Sequence, residues 1–175
     1  RLLGVRPQVI TRGHLSYPAH LQLATLKLAK GRVPAEIGLK RWKITDHSEV
    51  LGHGREAFEA ASEKLLGWQA HAHAGVRARR RGKLVRLHYG PTTSSCLIIR
   101  EERTPTRTLL VYGTLPAHVE SGEEAFLIEM AADGTVTGRV VAFSRHSWWL
   151  AKLGGPVARA VQRRANRAYV AGMRP

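Results

Sequence analysis

The stretch Tyr112-Gly113-Thr114-Leu115-Pro116-Ala117-His118-Val119-Glu120-Ser121-Gly122-Glu123-Glu124 decides how this chain folds. It gathers a phenol, an imidazole and three carboxylates between two apolar arms. Leu109, Leu110 and Val111 lead in. Phe126, Ile128 and Met130 alternate with Leu127 and Glu129 on the way out, which is the pattern of β-strands. Pro116 lacks a backbone donor, so the bend is predicted near it. Arms paired antiparallel about a tip near His118 set Tyr112 opposite Glu124 on one face, a proton donor beside a carboxylate. The plainer alternative is a packed strand tyrosine with solvated hairpin glutamates.

Toward the C-terminus, Asp133-Gly134 is a two-residue turn signal that leads into a strand predicted from Val136 to Ser144. Gly154-Gly155-Pro156 then opens a last helix, with Pro156 at the favoured first position. The apolar stripe Val157, Val161, Ala165 and Ala168 is predicted to lie across the sheet. Toward the N-terminus, Arg107 to Thr114, Cys96 to Glu102 and Lys83 to Tyr89 read as strands of an antiparallel meander, parted by Thr104-Pro105-Thr106 and Gly90-Pro91. Before them, Phe58, Ala61, Leu65 and Trp68 fall on one helical face, with Glu56 and Glu59 in the early turns. A further strand is predicted from Arg41 to Val50 on the alternation of Trp42, Ile44 and Val50, closed by Gly52 and Gly54. His20 to Lys30 reads as a short helix. The organisation expected is a single domain over residues 41–175, with residues 1–40 as an extension packed on it.

Ala70-His71-Ala72-His73-Ala74, if extended, sets two histidines on one side. Tetrahedral zinc wants three or four ligands, and no Cys or carboxylate stands near, so no metal site is expected. Gly52-His53-Gly54 is too short for a nucleotide-binding fingerprint, and no cofactor is expected. Ser144, His146 and Ser147 are neighbours in sequence, which does not make a triad.

The chain carries 28 Lys and Arg against 13 Asp and Glu, a formal net charge of +15. That balance favours anionic partners. The basic residues are nevertheless scattered, apart from Arg77, Arg79, Arg80 and Arg81 and the helical set Arg159, Arg163, Arg164 and Arg167. They lack the interleaved aromatics of a single-strand nucleic-acid surface, so nucleic acid is disfavoured as a partner. With 43% hydrophobic and 23% charged residues the composition is that of a globular domain. No apolar run approaches the length of a membrane span, and nothing reads as a signal peptide. The chain opens on Arg1 rather than Met, which leaves room for an upstream piece. Cys96, the single cysteine, fits a reducing cytoplasm and a core position.

The run from Tyr112 to Phe126, the segment Ala142-Phe143-Ser144-Arg145, and Leu150-Ala151-Lys152-Leu153-Gly154-Gly155-Pro156-Val157-Ala158-Arg159 through Gln162-Arg163-Arg164 resemble a bacterial and plant family catalogued as domain of unknown function nineteen-ninety. Leu15-Ser16-Tyr17-Pro18 and the helix from Phe58 to Trp68-Gln69 fit the same pattern. That family is grouped with the START-like, pollen-allergen-like superfamily. The resemblance implies an α+β helix-grip fold, a curved antiparallel sheet around a long C-terminal helix with a cavity between them. Two departures stand out: Ala117 where the family usually has Gly, and His146-Ser147-Trp148-Trp149 where it often carries Pro.

This fold hosts carriers, receptors and enzymes alike, so function has to be argued from the site. The expectation is a small-molecule pocket protein in the cytoplasm. As an enzyme it would do proton-transfer chemistry without a cofactor, an isomerisation, cyclisation or dehydration of an apolar, polyketide-like metabolite. Glu124 would be the acid or base, Tyr112 the oxyanion donor and His118 the relay. Tyr17, Glu120, Arg139, Arg145 and Trp148 are the further ligand contacts expected. The alternative is a non-catalytic carrier of a hydrophobic or anionic metabolite, with Arg139 and Arg145 on an acidic head group. Oligomeric state does not follow from the residues.

Overall fold

The computed structural model describes residues 9–116, 120–146 and 155–175, without the side chains of residues 146 and 155–162. Its centre is a sheet of seven antiparallel strands: β1 (Lys43–His53), β2 (Arg77–Arg81), β3 (Leu84–Tyr89), β4 (Thr92–Arg103), β5 (Arg107–Thr114), β6 (Glu120–Met130) and β7 (Thr135–His146). The order across the sheet is β1-β7-β6-β5-β4-β3-β2. The chain leaves β1, crosses the sheet through α2 (Arg55–Leu66) and α3 (Gln69–His73), enters the far edge at β2 and meanders back to lie beside β1. Register shifts between Val50 and Gly52 and between Ile98 and Arg100 interrupt the ladders. Such bulges add local twist and bend, which a curved sheet needs.

Both faces of the sheet are covered, and strand alternation sorts the core into two halves. The inner half holds Ile98, Leu110, Tyr112, Phe126, Ile128 and Val140 against Phe58, Ala61 and Leu65 of α2, Tyr169 and Val170 of α4 (Gly155–Gly172), and Met173 just past its end. Phe58, Ala61 and Leu65 are fully buried, as their helical spacing predicts. The outer half holds Leu97, Leu109, Val111, Leu127, Val141 and Phe143 beneath Leu15, Tyr17, Leu21, Leu28 and Leu39 of the N-terminal segment, which includes α1 (Ala24–Ala29).

Several local expectations change. Val50, grouped with Trp42 and Ile44 by alternation, is exposed together with Asp46 and Ser48, which share its side of the edge strand β1. Residues 69–73 are helical rather than extended, so His71 is buried while His73 is exposed. Trp68 does not continue α2. Gly67 caps that helix, and Trp68 turns into the left-handed region at φ 63° to start α3. Of the predicted α4 stripe, Ala165 packs on the inner core, while the side chains of Val157 and Val161 lie outside the described residues; further along, Asn166, Tyr169 and Val170 are buried, as is Met173 just past the end of the helix. Among the described residues no helix is long and apolar enough to cross a membrane.

Candidate functional site

Antiparallel pairing of β5 with β6 sets Tyr112 opposite Glu124 and Gly113 opposite Glu123. Cross-strand partners share a face, so Tyr112 and Glu124 point inward together, toward α2, α3 and α4. The Tyr112 hydroxyl donates to Glu124 Oε2 at 3.1 Å. Burial pushes the Glu124 carboxyl up to about 7; the Tyr112 donor pulls against this, and the charge of Glu120 adds to the rise. The Tyr112 phenol is raised well above its ordinary value, by burial first and by the charge of Glu124 second, so it stays a proton donor. Burial, helped by Glu124, pushes the Cys96 thiol up to about 12, which leaves it inert as a nucleophile.

The sequence did not single out His71 for this site, because the pair His71 and His73 draws attention only as a metal motif. Its Nε2 lies 3.0 Å from the Tyr112 hydroxyl oxygen. Since the Tyr112 proton goes to Glu124, Nε2 carries a hydrogen and donates to the phenol, and Nδ1 is left as an acceptor. Burial lowers the imidazole to about 3, so it is neutral at physiological pH. Nδ1 is buried and has no partner among the described residues. The result is a hydrogen-bonded chain from α3 through β5 to β6, polarised toward the carboxylate, in which each bond strengthens the next.

Aromatic rings wall this chain. His71 packs on Trp68, Phe126 and Tyr169 at centroid distances of 4.7, 4.8 and 5.0 Å, and Trp68 stacks on Tyr112 at 6.2 Å. The left-handed backbone at Trp68 makes that stacking possible. It costs on the order of 1 kcal/mol for a residue with a Cβ, within the range recovered by a good aromatic contact.

The other expected contacts divide by face. Glu120 is half-buried on β6, two alternations from Glu124 and so on its face, close enough to act on its charge. Tyr17, Arg139 and Arg145 lie on the outer face instead. Tyr17 is buried and donates to Glu123 Oε1 at 2.7 Å. A Cβ at Gly113 would meet the Tyr17 hydroxyl at 2.5 Å, so the glycine leaves the room Tyr17 occupies. Arg139 donates to both carboxylate oxygens of Asp46 at 2.8 and 2.6 Å and to the Ala29 carbonyl at 3.0 Å, which ties the end of α1 to the sheet. The Arg145 guanidinium stacks over Trp42, 4.4 Å from the ring centroid. His118 and Trp148, with the departures at Ala117 and Ser147 to Trp149, lie outside the described residues. Among the described residues no group of three His, Cys, Asp or Glu gathers as a metal site.

This architecture recurs in solved structures. A hypothetical protein of Helicobacter pylori matches with a TM-score of 0.59 at 12% identity, over 95% of this chain and 98% of that one. The di-domain ARO/CYC protein StfQ of the steffimycin biosynthetic pathway matches with a TM-score of 0.51 at 13% identity, over 89% of this chain and 60% of that one. Likeness at such identities shows the fold, an α+β helix-grip. In sequence, a UPF0548 protein of Deinococcus radiodurans is 32% identical over 145 residues, covering 70% of this chain and 72% of that one. A UPF0548 protein of Dictyostelium discoideum is 47% identical over 58 residues, 27% of its length. The family model described as domain of unknown function (DUF1990) matches residues 24–172, and the chain belongs to that family.

Proposed function

We propose that the inner face of the sheet holds a small organic ligand and that Tyr112 and Glu124 carry out cofactor-independent proton transfer on it. The observation that carries this reading is the Tyr112 hydroxyl donating to a carboxyl that titrates at about 7. A group balanced between acid and base at neutral pH is suited to both halves of a proton transfer. Glu124 is crowded enough for that shift, yet the residue is only half-buried, which fits a carboxyl lining a recess. Tyr112, held by His71 on one side, offers its proton to an oxyanion forming on the ligand. Isomerisation, cyclisation or dehydration each need only these parts. StfQ, an ARO/CYC protein, uses the same fold, which is compatible with such chemistry.

The test begins with native mass spectrometry of gently purified protein, followed by incubation of any retained compound. Conversion by wild type, lost in Glu124→Gln and reduced at least tenfold in Tyr112→Phe, supports the reading. Unchanged conversion in both variants removes it. A second reading, a carrier that binds without reacting, is favoured by the aromatic wall of Trp68, Phe126 and Tyr169. A compound retained and never altered would select it.

A further inference from the structure

The far edge of the sheet carries positive charge that its surroundings leave unanswered. β2 reads Arg77-Ala78-Arg79-Arg80-Arg81 and, among the described residues, pairs with β3 alone, so its other side is an open edge. Strand alternation divides these arginines. Arg80 shares the side of Ala78, which packs on the inner core, and it is committed. Its Nη1 and Nη2 donate to the two carboxylate oxygens of Glu101 at 2.8 Å each, and its Nε donates to the Gly82 carbonyl at 2.8 Å. Arg77, Arg79 and Arg81 leave the outer side instead, the side of Leu84, at intervals of about 7 Å. All three are exposed, and among the described residues none of their guanidinium groups meets an acceptor, a carboxylate or a ring.

The neighbouring strands add to this surplus. Arg79 stands directly opposite exposed Arg86 of β3, and like charges so placed weaken a ladder. No Asp or Glu occurs in β2, in β3 or in the stretch of β4 paired with β3, Thr92 to Leu97. Charged side chains on an edge strand keep it from pairing with its own kind, and a second copy of β2 would bring arginine against arginine. That role calls for no arginine on the next strand inward. The same groups that repel a copy attract a strand of opposite charge. A bilayer surface is a poorer match, because the outer side of this hairpin exposes no large apolar residue to enter it.

We propose that the edge of β2 receives an extended acidic segment of a partner protein as an added strand. Asp or Glu at every second position of that segment lies against Arg77, Arg79 and Arg81, and Arg86 adds attraction from the strand behind. A small apolar residue between them covers half-buried Ala78. Backbone hydrogen bonds hold the segment, and the charges fix its register and exclude other strands. This surface lies apart from the inner face and stands whether or not that face binds a ligand.

The probe is a fluorescently labelled peptide, acetyl-Thr-Glu-Thr-Glu-Val-Glu-Thr-amide, followed by anisotropy at low salt. Wild type should bind it, and Arg79→Ala should weaken binding about fivefold. Replacing Arg77, Arg79 and Arg81 together by Ala should weaken it by about thirtyfold or more. Replacing exposed Arg163, Arg164 and Arg167 of α4 by Ala removes the same charge and should leave affinity within about twofold of wild type. Circular dichroism checks that each variant is folded. Peptides N-methylated at alternate amides test the mode: one phase blocks the ladder and abolishes binding, and the other leaves it intact. No binding, equal binding by a peptide of the same composition with its glutamates adjacent, the same affinity in both N-methyl phases, or an equal loss in the α4 variant overturns the proposal. So does a DNA duplex that binds more tightly than the peptide at the same salt and loses affinity in the β2 variant, which would make this face a phosphate surface.

Discussion

Glu123 and Glu124 are neighbours on β6, identical in chemistry, and they face opposite sides of the sheet. Glu123, under the N-terminal segment, accepts from the Tyr17 hydroxyl at 2.7 Å, the Leu23 amide at 2.7 Å, the Thr25 amide at 3.1 Å and the Thr25 hydroxyl. Two of those donors are amides at the start of α1, so a carboxylate from the sheet caps a helix that has no side-chain cap of its own. Burial raises this carboxyl and its four donors pull it back. Glu124 accepts from one described side chain, Tyr112, and its carboxyl is left at about 7. The outer carboxylate is saturated and structural. Among the described residues the inner one keeps unfilled hydrogen-bonding capacity, as the proposed proton transfer needs.

The largest expected effect breaks the outer side of this comparison. Glu123→Ala should lower the unfolding free energy by about 3 kcal/mol or more, read as a shift in denaturant midpoint, because four buried donors lose their acceptor. A loss below about 1 kcal/mol would show that the N-terminal segment is held mainly by its apolar contacts.

The next effect belongs to Glu124 and has a definite sign. Its folded-state value of about 7 lies above the ordinary carboxyl value of 4.5, so the native state holds a proton that the unfolded state releases. Stability is therefore unaffected below about 4.5, falls as pH rises through the window and carries its full penalty above about 7. The penalty is about 3 kcal/mol. The difference between wild type and Glu124→Gln, measured across this window, isolates it. A flat difference would mean that Glu124 titrates like any surface acid.

Tyr112→Phe removes the donor that lowers Glu124, and should move the carboxyl midpoint upward by about one unit in a carbon-detected titration. A downward shift would contradict the hydrogen-bond direction given above. Arg139→Ala should cost about 1 kcal/mol, since the ion pair with Asp46 is partly exposed. It should leave the Glu124 titration midpoint unchanged, which would separate the outer face from the site. The smallest effect is an expected constancy: the His71 imidazole should stay neutral and keep its Nε2 hydrogen from pH 8 to pH 5, read from nitrogen chemical shifts. Titration near its ordinary value would remove it from the buried chain.

Local pattern carried the hairpin because period-two alternation and Pro116 specify both arms and their bend, and pairing then follows from antiparallel geometry. Tyr112 opposite Glu124 is a consequence of counting. The same counting places Arg139 and Arg145 on the face away from Tyr112, although their charge alone suggests an acidic head group. Parity along β7 would have separated them, since Val140 and Ala142 take the other face. His71 was hidden for another reason: it depends on one residue, Trp68, entering a left-handed conformation that no spacing announces.

From its residues alone the chain determined that a strand meander and a last helix would form, and that a phenol would stand against a carboxylate, because periodicity and register are local properties. The tertiary structure decided which face each charge would meet. Glu123 became a cap when the N-terminal segment folded over it, and Glu124 became an acid of about 7 when α3 brought His71 and a ring of aromatics around Tyr112. Desolvation and donor supply come from groups distant in sequence, and these two quantities set what a carboxylate does.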